Sequence, residues 1–262
     1  MRIFLLNGKH TFVKTHSLKS LNIVLAVGLL SPVAAVADDF SLGVSAVYAT
    51  SPYRGDDDKV LPFPQINYDS QHVYVKGLSA GYYLWKDPQN QLSVTAVYAP
   101  WHFRPSKNDY DDMKALDRRR STVMAGLRYN HTEDWGVVRA EYLGDVLDNS
   151  DGFTADLSYL YPMQLGRFSP VPGVGAMWAS EDQNNYYYGV SRNESRRSGL
   201  REYHADDGWS PYVQLTVNYA ITQSWNTYVM ERYLRLSDEA KDSPMTDRQY
   251  IGLIGVGTTY SF

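Results

Sequence analysis

From residue 40 onward, apolar side chains return at every second position. Phe40, Leu42, Val44, Ala46 and Tyr48 alternate with Ser41, Gly43, Ser45 and Val47. The same beat runs through Leu92, Val94, Ala96 and Tyr98, and through Val123, Ala125, Leu127 and Tyr129. It continues in Phe153, Ala155, Leu157, Tyr159 and Tyr161, and in Val213, Leu215, Val217, Tyr219 and Ile221. The closing stretch places Ile254, Val256, Thr258, Tyr260 and Phe262 against Gly255, Gly257, Thr259 and Ser261. A period of two over such lengths predicts strands with one oily and one wet face. Weaker candidates span 61–69, 72–77, 78–86, 136–147, 168–181 and 224–237. About twelve strands result; ten stays open, because Leu61-Pro62-Phe63-Pro64 is a poor strand start. No stretch after Asp39 carries the period of an amphipathic helix.

A long aromatic strand at the end of the sheet would invite edge-to-edge pairing in water. Pairing it with the first strand closes a barrel and removes both edges. The expected fold is therefore all-β, a transmembrane antiparallel up-and-down β-barrel; an edge strand of a soluble sandwich is the alternative. Tyr260 and Phe262 would then double as the C-terminal aromatic signal for barrel assembly. One strand resists: Glu231 and Arg232 are adjacent, so one charge faces lipid unless a bulge or the rim intervenes.

Connection lengths alternate. Short ones lie at 69–71, 87–90, 132–134, 164–166 and 222–224. Longer, charged ones lie at 50–60, 104–120, 182–208 and 238–247, with a small one at 148–152. Short turns are expected on the periplasmic side and long loops outside the cell. By strand parity, Lys76, Arg128, Arg139, Glu141, Asp145 and Asp156 point into the lumen. Charges of both signs in a barrel of intermediate size predict a narrow or occluded pore.

Composition agrees. Mean hydropathy is −0.41, low because a barrel strand shows lipid only alternate residues. Of 262 residues 22 are Tyr, a side chain suited to the membrane interface, and none is Cys. The lack of Cys excludes disulfides, thiolate metal sites and Cys nucleophiles. Residues 1–37 hold Arg2, Lys9, Lys14 and Lys19 and no acid, then an apolar run 21–30 and Ala35-Val36-Ala37. That is a cleavable secretory signal, too short to span a bilayer, leaving 38–262 as the barrel domain. Its removal takes four of 25 basic residues and none of 29 acidic ones, so the net charge falls from −4 to −8. Nucleic acid is a poor partner for such a chain.

Candidate chemistry is thin. Gly77-Leu78-Ser79-Ala80-Gly81 matches a nucleophile elbow, but the elbow needs a following helix and Tyr82-Tyr83-Leu84-Trp85 offers none. His102 and His204 could reach a rim with Asp109, Asp111, Asp206 and Asp207, at no recognisable catalytic spacing. Asp56-Asp57-Asp58 could attract a cation but lacks further ligands. Arg118, Arg119, Arg120, Arg192, Arg196, Arg197 and Arg201 could fork onto lipopolysaccharide phosphates; pairing with Asp111, Asp112, Glu194 and Glu202 is the alternative. No enzyme, cofactor or metal is expected.

Longer stretches resemble a known family. These include Arg120-Ser-Thr-Val-Met-Ala-Gly-Leu127, Gly144-Asp-Val-Leu-Asp-Asn-Ser150 and Glu181-Asp-Gln-Asn-Asn-Tyr-Tyr-Tyr-Gly-Val-Ser-Arg192. With Trp209-Ser-Pro-Tyr212 and Asp242-Ser-Pro-Met245, the chain from about Phe40 to Phe262 resembles the MipA/OmpV family of MltA-interacting proteins. The resemblance implies a non-enzymatic barrel of the Gram-negative outer membrane. It implies a scaffold tethering a periplasmic lytic transglycosylase to a bifunctional penicillin-binding protein, the murein synthase of peptidoglycan assembly. Lys86, Asp87, Gln89, Glu133, Asp134 and Gln164 on the short turns would be the partner contacts, with Trp135 beside them or anchoring the interface. A small-solute channel, or an adhesin contacting lipopolysaccharide, is the alternative.

Overall fold

A computed structural model describes residues 39–262, and the expected signal at 1–37 lies outside them. The described chain forms twelve strands. They are β1 (Asp39–Ala49), β2 (Lys59–Asp69), β3 (Val73–Lys76), β4 (Ser79–Lys86), β5 (Asn90–Ala99) and β6 (Thr122–Glu133). There follow β7 (Gly136–Asp145), β8 (Phe153–Leu160), β9 (Phe168–Ala179), β10 (Gly208–Ala220), β11 (Trp225–Arg235) and β12 (Tyr250–Ser261). Each pairs antiparallel with its neighbours in sequence, and β1 pairs with β12, so the sheet closes. Strands such as β10, 13 residues, and β12, 12 residues, exceed the roughly 9–11 needed to cross a bilayer.

The predicted parity holds around the wall. Val44, Leu127, Leu157, Val213 and Val256 are exposed on the outside, while Ser45, Arg128, Ser158 and Gln214 are buried within. Aromatic pairs ring both ends of the apolar band. Phe40 stacks on Phe262 at 5.5 Å, Trp225 meets Tyr260 at 5.2 Å and Phe168 meets Tyr219 at 4.8 Å near the short turns. Toward the long loops, Tyr233 stacks on Tyr250 at 5.1 Å and Tyr142 on Phe153 at 5.6 Å. Amphipathic rings at these two levels mark the membrane boundaries.

Three points differ from the sequence reading or resolve it. Pro62 and Pro64 do sit inside a strand, β2, which pairs with β1 from Asp69 to Lys59. β11 runs without a register shift, so Glu231 faces outward between Leu215 and Ile254 and Arg232 faces in. The long loops, where no amphipathic helical period is legible, carry helices: α1 (Asp111–Lys114), α2 (Glu181–Tyr188), α3 (Arg192–Ser198) and α4 (Asp238–Lys241). They are short, and α2 and α3 owe their starts to serine caps. Ser180 accepts from the Gln183 amide, and Ser191 forms a reciprocal capping box with Glu194. The loops fold onto one another around Tyr53, Phe103, Met113, Leu116, Val190 and Met245, a small core outside the barrel wall.

Candidate functional site

Inward positions of neighbouring strands face each other, so the register decides which lumen charges meet. Arg128 on β6 lies opposite Glu141 on β7, and Glu141 lies opposite Asp156 on β8. Arg128 Nε donates to Glu141 at 2.5 Å and its Nη1 to the Tyr74 hydroxyl at 3.2 Å. Arg139 Nε donates to Asn130 at 2.7 Å. Asp156 accepts from the Tyr212 hydroxyl at 2.9 Å. Arg232 lies over the Tyr212 ring, 4.4 Å from its centroid, and donates to Gln214 through Nε at 3.1 Å and Nη2 at 2.6 Å. Across the lumen, Ser45 bonds Gln65 at 2.6 Å and Tyr228 at 2.8 Å. Arg128 and Arg139 are each only 1% exposed, so side chains fill this level of the barrel.

The plug is fitted as well as paired. Tyr228 lies opposite Gly257, and Tyr212 opposite Gly175. A Cβ at Gly257 would come within 2.6 Å of the Tyr228 ring, and one at Gly175 within 2.5 Å of Tyr212. Each tyrosine thus lies across a strand on a position that only glycine leaves vacant. These tyrosines and Gln214 were not among the predicted lumen residues, and Arg232 was noted only as one of two adjacent charges. Parity alone carried the signal, because an inward Tyr and an outward Tyr read alike.

The remaining predicted lumen charges sit nearer the ends. Lys76 and Lys86 both pair with Asp69, Lys86 at 2.5 Å, close to the short turns. Asp145 ends β7 at the long-loop side, where it accepts from Thr122 and from the amides of Leu147, Asn149 and Ser150. It ties a turn together and stands apart from the plug.

At the short-turn end the proposed contact residues separate. Gln89 Nε2 donates to Glu133 at 2.9 Å, joining two neighbouring turns, and Asp134 and Trp135 are exposed beside them. Trp135 also stacks on Tyr159 at 6.1 Å. Asp87 accepts from the Gln89 and Asn90 amides and shapes its own turn. Gln164 belongs to another turn, bonded to Gly166 and Ser169, and Lys86 is turned toward Asp69.

No catalytic grouping forms among the described residues. Ser79 is buried and donates to the Lys76 carbonyl at 3.1 Å. His102 bonds the Pro100 carbonyl, and His131 bonds Asn90. Asp56 accepts from Ser51 and Lys59, and Asp58 from Tyr48, the Ser51 amide and Arg248, so these carboxylates hold their own loop. Glu181, His204 and Asp206 gather at the rim, all exposed, with His204 Nε2 2.7 Å from Glu181. In the arginine-rich loops, Arg119 pairs with Glu194 at 2.8 Å and Arg197 with Asp117 at 2.5 Å. Arg118, Arg120 and Arg192 remain exposed.

The sequence model of "MltA-interacting protein MipA" matches residues 42–262. The "MltA-interacting protein" of Escherichia coli (strain K12) is 45% identical over 243 residues, covering 91% of this chain and 98% of that one. "Putative outer membrane protein YiaT" of Escherichia coli O157:H7 is 41% identical over 241 residues, 92% and 98% of the two chains. "Outer membrane protein OmpV" of Vibrio cholerae is 29% identical over 152 residues, 58% of this chain and 59% of that one.

Proposed function

The chain belongs to the MltA-interacting protein MipA family of outer-membrane barrels, non-enzymatic proteins, and from that premise we propose that it is a scaffold of the murein machinery. In this reading a periplasmic lytic transglycosylase docks on the short-turn face and is held beside a bifunctional murein synthase. One observation carries it: the lumen is filled by the Arg128–Glu141 pair and the tyrosines around it. A barrel blocked at mid-height works through its surfaces. The face turned to the periplasm offers one joined, acidic, aromatic patch, Gln89, Glu133, Asp134 and Trp135.

Charge at the edge of such a patch steers encounter and register more than it adds affinity. Detergent-extracted protein is expected to retain a purified lytic transglycosylase on a column. Glu133→Lys with Asp134→Lys should weaken retention about tenfold or more. The same substitutions should leave the heat-modifiable mobility of the barrel unchanged. Retention equal to the parent protein would remove this face from the interface; no retention by the parent would remove the scaffold reading itself.

A further inference from the structure

Above the plug, the long-loop half of the lumen is not filled. It holds a chamber, a cavity of about 180 Å³ that opens at its mouth. The walls are largely apolar, with Val47, Leu61, Met177, Leu234 and Leu253 among them, and the ring of Trp101 faces in from the loop after β5. Arg232 reaches it from the plug below. This guanidinium is 5% exposed, and its two hydrogen bonds go to the neutral amide of Gln214. Among the described residues no carboxylate lies within ion-pairing distance of it; Asp156, bonded to the Tyr212 hydroxyl, is near enough to feel its charge but does not touch it. A buried cation with no carboxylate in direct contact, at the base of an oily cup, can take a further anion there.

The wall beside the chamber is incomplete. β3 has four residues, too few to cross the apolar band, and β2 pairs with it only over Asn67–Asp69. The β3–β4 turn tops out at Gly77 and Leu78, where Gly77 N bonds the Ile66 carbonyl and Leu78 O accepts from Tyr98. β2 continues upward to Lys59 with no strand on that side. In an antiparallel ladder a residue's N–H and C=O point the same way. Because Ile66 turns its carbonyl toward Gly77, Pro64 and Pro62, two and four residues earlier, also face the bare edge. Proline there removes the two amide donors that an edge would leave orphaned in lipid. Lys59 and Leu61, from this same stretch, and Pro100 and His102, beyond the end of β5, line the chamber.

We propose that the chamber binds an amphipathic anion with a single apolar tail, admitted sideways from the outer leaflet through the notch between β2 and β5. Its head group pairs with Arg232, and its tail lies along the walls formed by Val47, Leu61 and Leu253. The site stands apart from the short-turn face and does not depend on partner docking there.

The test uses the mature barrel in nanodiscs of neutral phospholipid, with 11-(dansylamino)undecanoate as the fluorescent probe. Saturable enhancement of dansyl emission is expected, displaced by laurate and about tenfold less well by dodecanol, which lacks the charge. Arg232→Gln should weaken binding about tenfold, Arg232→Lys should keep most of it, and Leu253→Trp should fill the chamber and abolish it. Heat-modifiable mobility identifies variants that still form the barrel. No saturable signal in the parent protein, or unchanged binding in folded Arg232→Gln and Leu253→Trp, would overturn the site. The route is tested by raising β3 and β4 with an inserted Thr-Val pair on each and replacing Pro62 and Pro64 with threonine. Slower loading at equal final occupancy is expected; loading at the parent rate would overturn lateral entry.

Discussion

At the scale of single residues, the lumen depends on a few tyrosines lying over glycines. Gly175 is directly opposite Tyr212, whose hydroxyl holds Asp156 and whose ring carries Arg232. Valine at 175 would push into that ring and against the Leu157 carbonyl. Overpacking of this kind costs about 1–3 kcal/mol. Gly175→Val is therefore expected to lower the temperature at which the barrel loses its compact mobility in detergent gels, whereas Gly166→Ala, on an open turn with positive φ, should act through backbone strain alone. Glu231 is the contrasting case: a carboxylate among outward apolar neighbours, one outward position below Tyr233. The adjacency of Glu231 and Arg232 announced a conflict in the sequence, and the unbroken register settles which charge goes outward.

At the scale of elements, the strands were legible and the loop structure was not. Every strong period-two stretch became a strand, because a barrel wall has the same lipid on one side all the way round. β2 was hard to read since its prolines follow the rule for an edge, and the edge is created by the shortness of β3, a non-local fact. The helices were missed because α2 and α3 cover a loop core and have no continuous apolar stripe. Their signals were the local ones, Ser180 before Gln183 and Ser191 before Glu194. The site was half legible: parity named Arg128, Arg139, Glu141 and Asp156, while pairing across strands, which tells a plug from a set of pore charges, is absent from a linear reading.

The α3 cap makes a testable element. Burial pushes the Glu194 carboxyl up, but the Asp117 amide, the Arg119 guanidinium and the Ser191 amide outweigh it, and the group stays below its ordinary value of 4.5. A depressed acid stabilises the fold above its unfolded pKa and loses that contribution as pH falls through the folded one. The loop crown should thus be fully held at neutral pH and loosen only below about pH 4.5, read as faster pepsin cleavage within 182–208. Ser191→Ala removes one cap and should cost about 1 kcal/mol at neutral pH. Its cleavage rate should show less dependence on acid than the parent's.

At the scale of the whole molecule, the barrel is a cup closed at mid-height. Planar bilayers holding the protein should show no steady single-channel steps. Arg128→Ala alone takes from buried Glu141 its directly bonded cation, a cost of about 3–5 kcal/mol. Removing both partners spares most of that cost and opens the plug. The Arg128→Ala, Glu141→Ala double variant should therefore be the more stable of the two and the first to conduct. Steady steps from the parent protein would restore the small-solute channel as the better reading.

The β1–β12 seam joins Ser41 to Ser261, with Phe40 stacked on Phe262 beside it. Contacts so distant in sequence are slow to find, and a membrane interior gives a waiting strand no water to bond. An eleven-strand intermediate would carry two bare margins, each as ready to zip onto a stranger as onto its own mate. Both margins vanish together when β1 meets β12, so the last strand to arrive removes more exposed backbone than any strand before it.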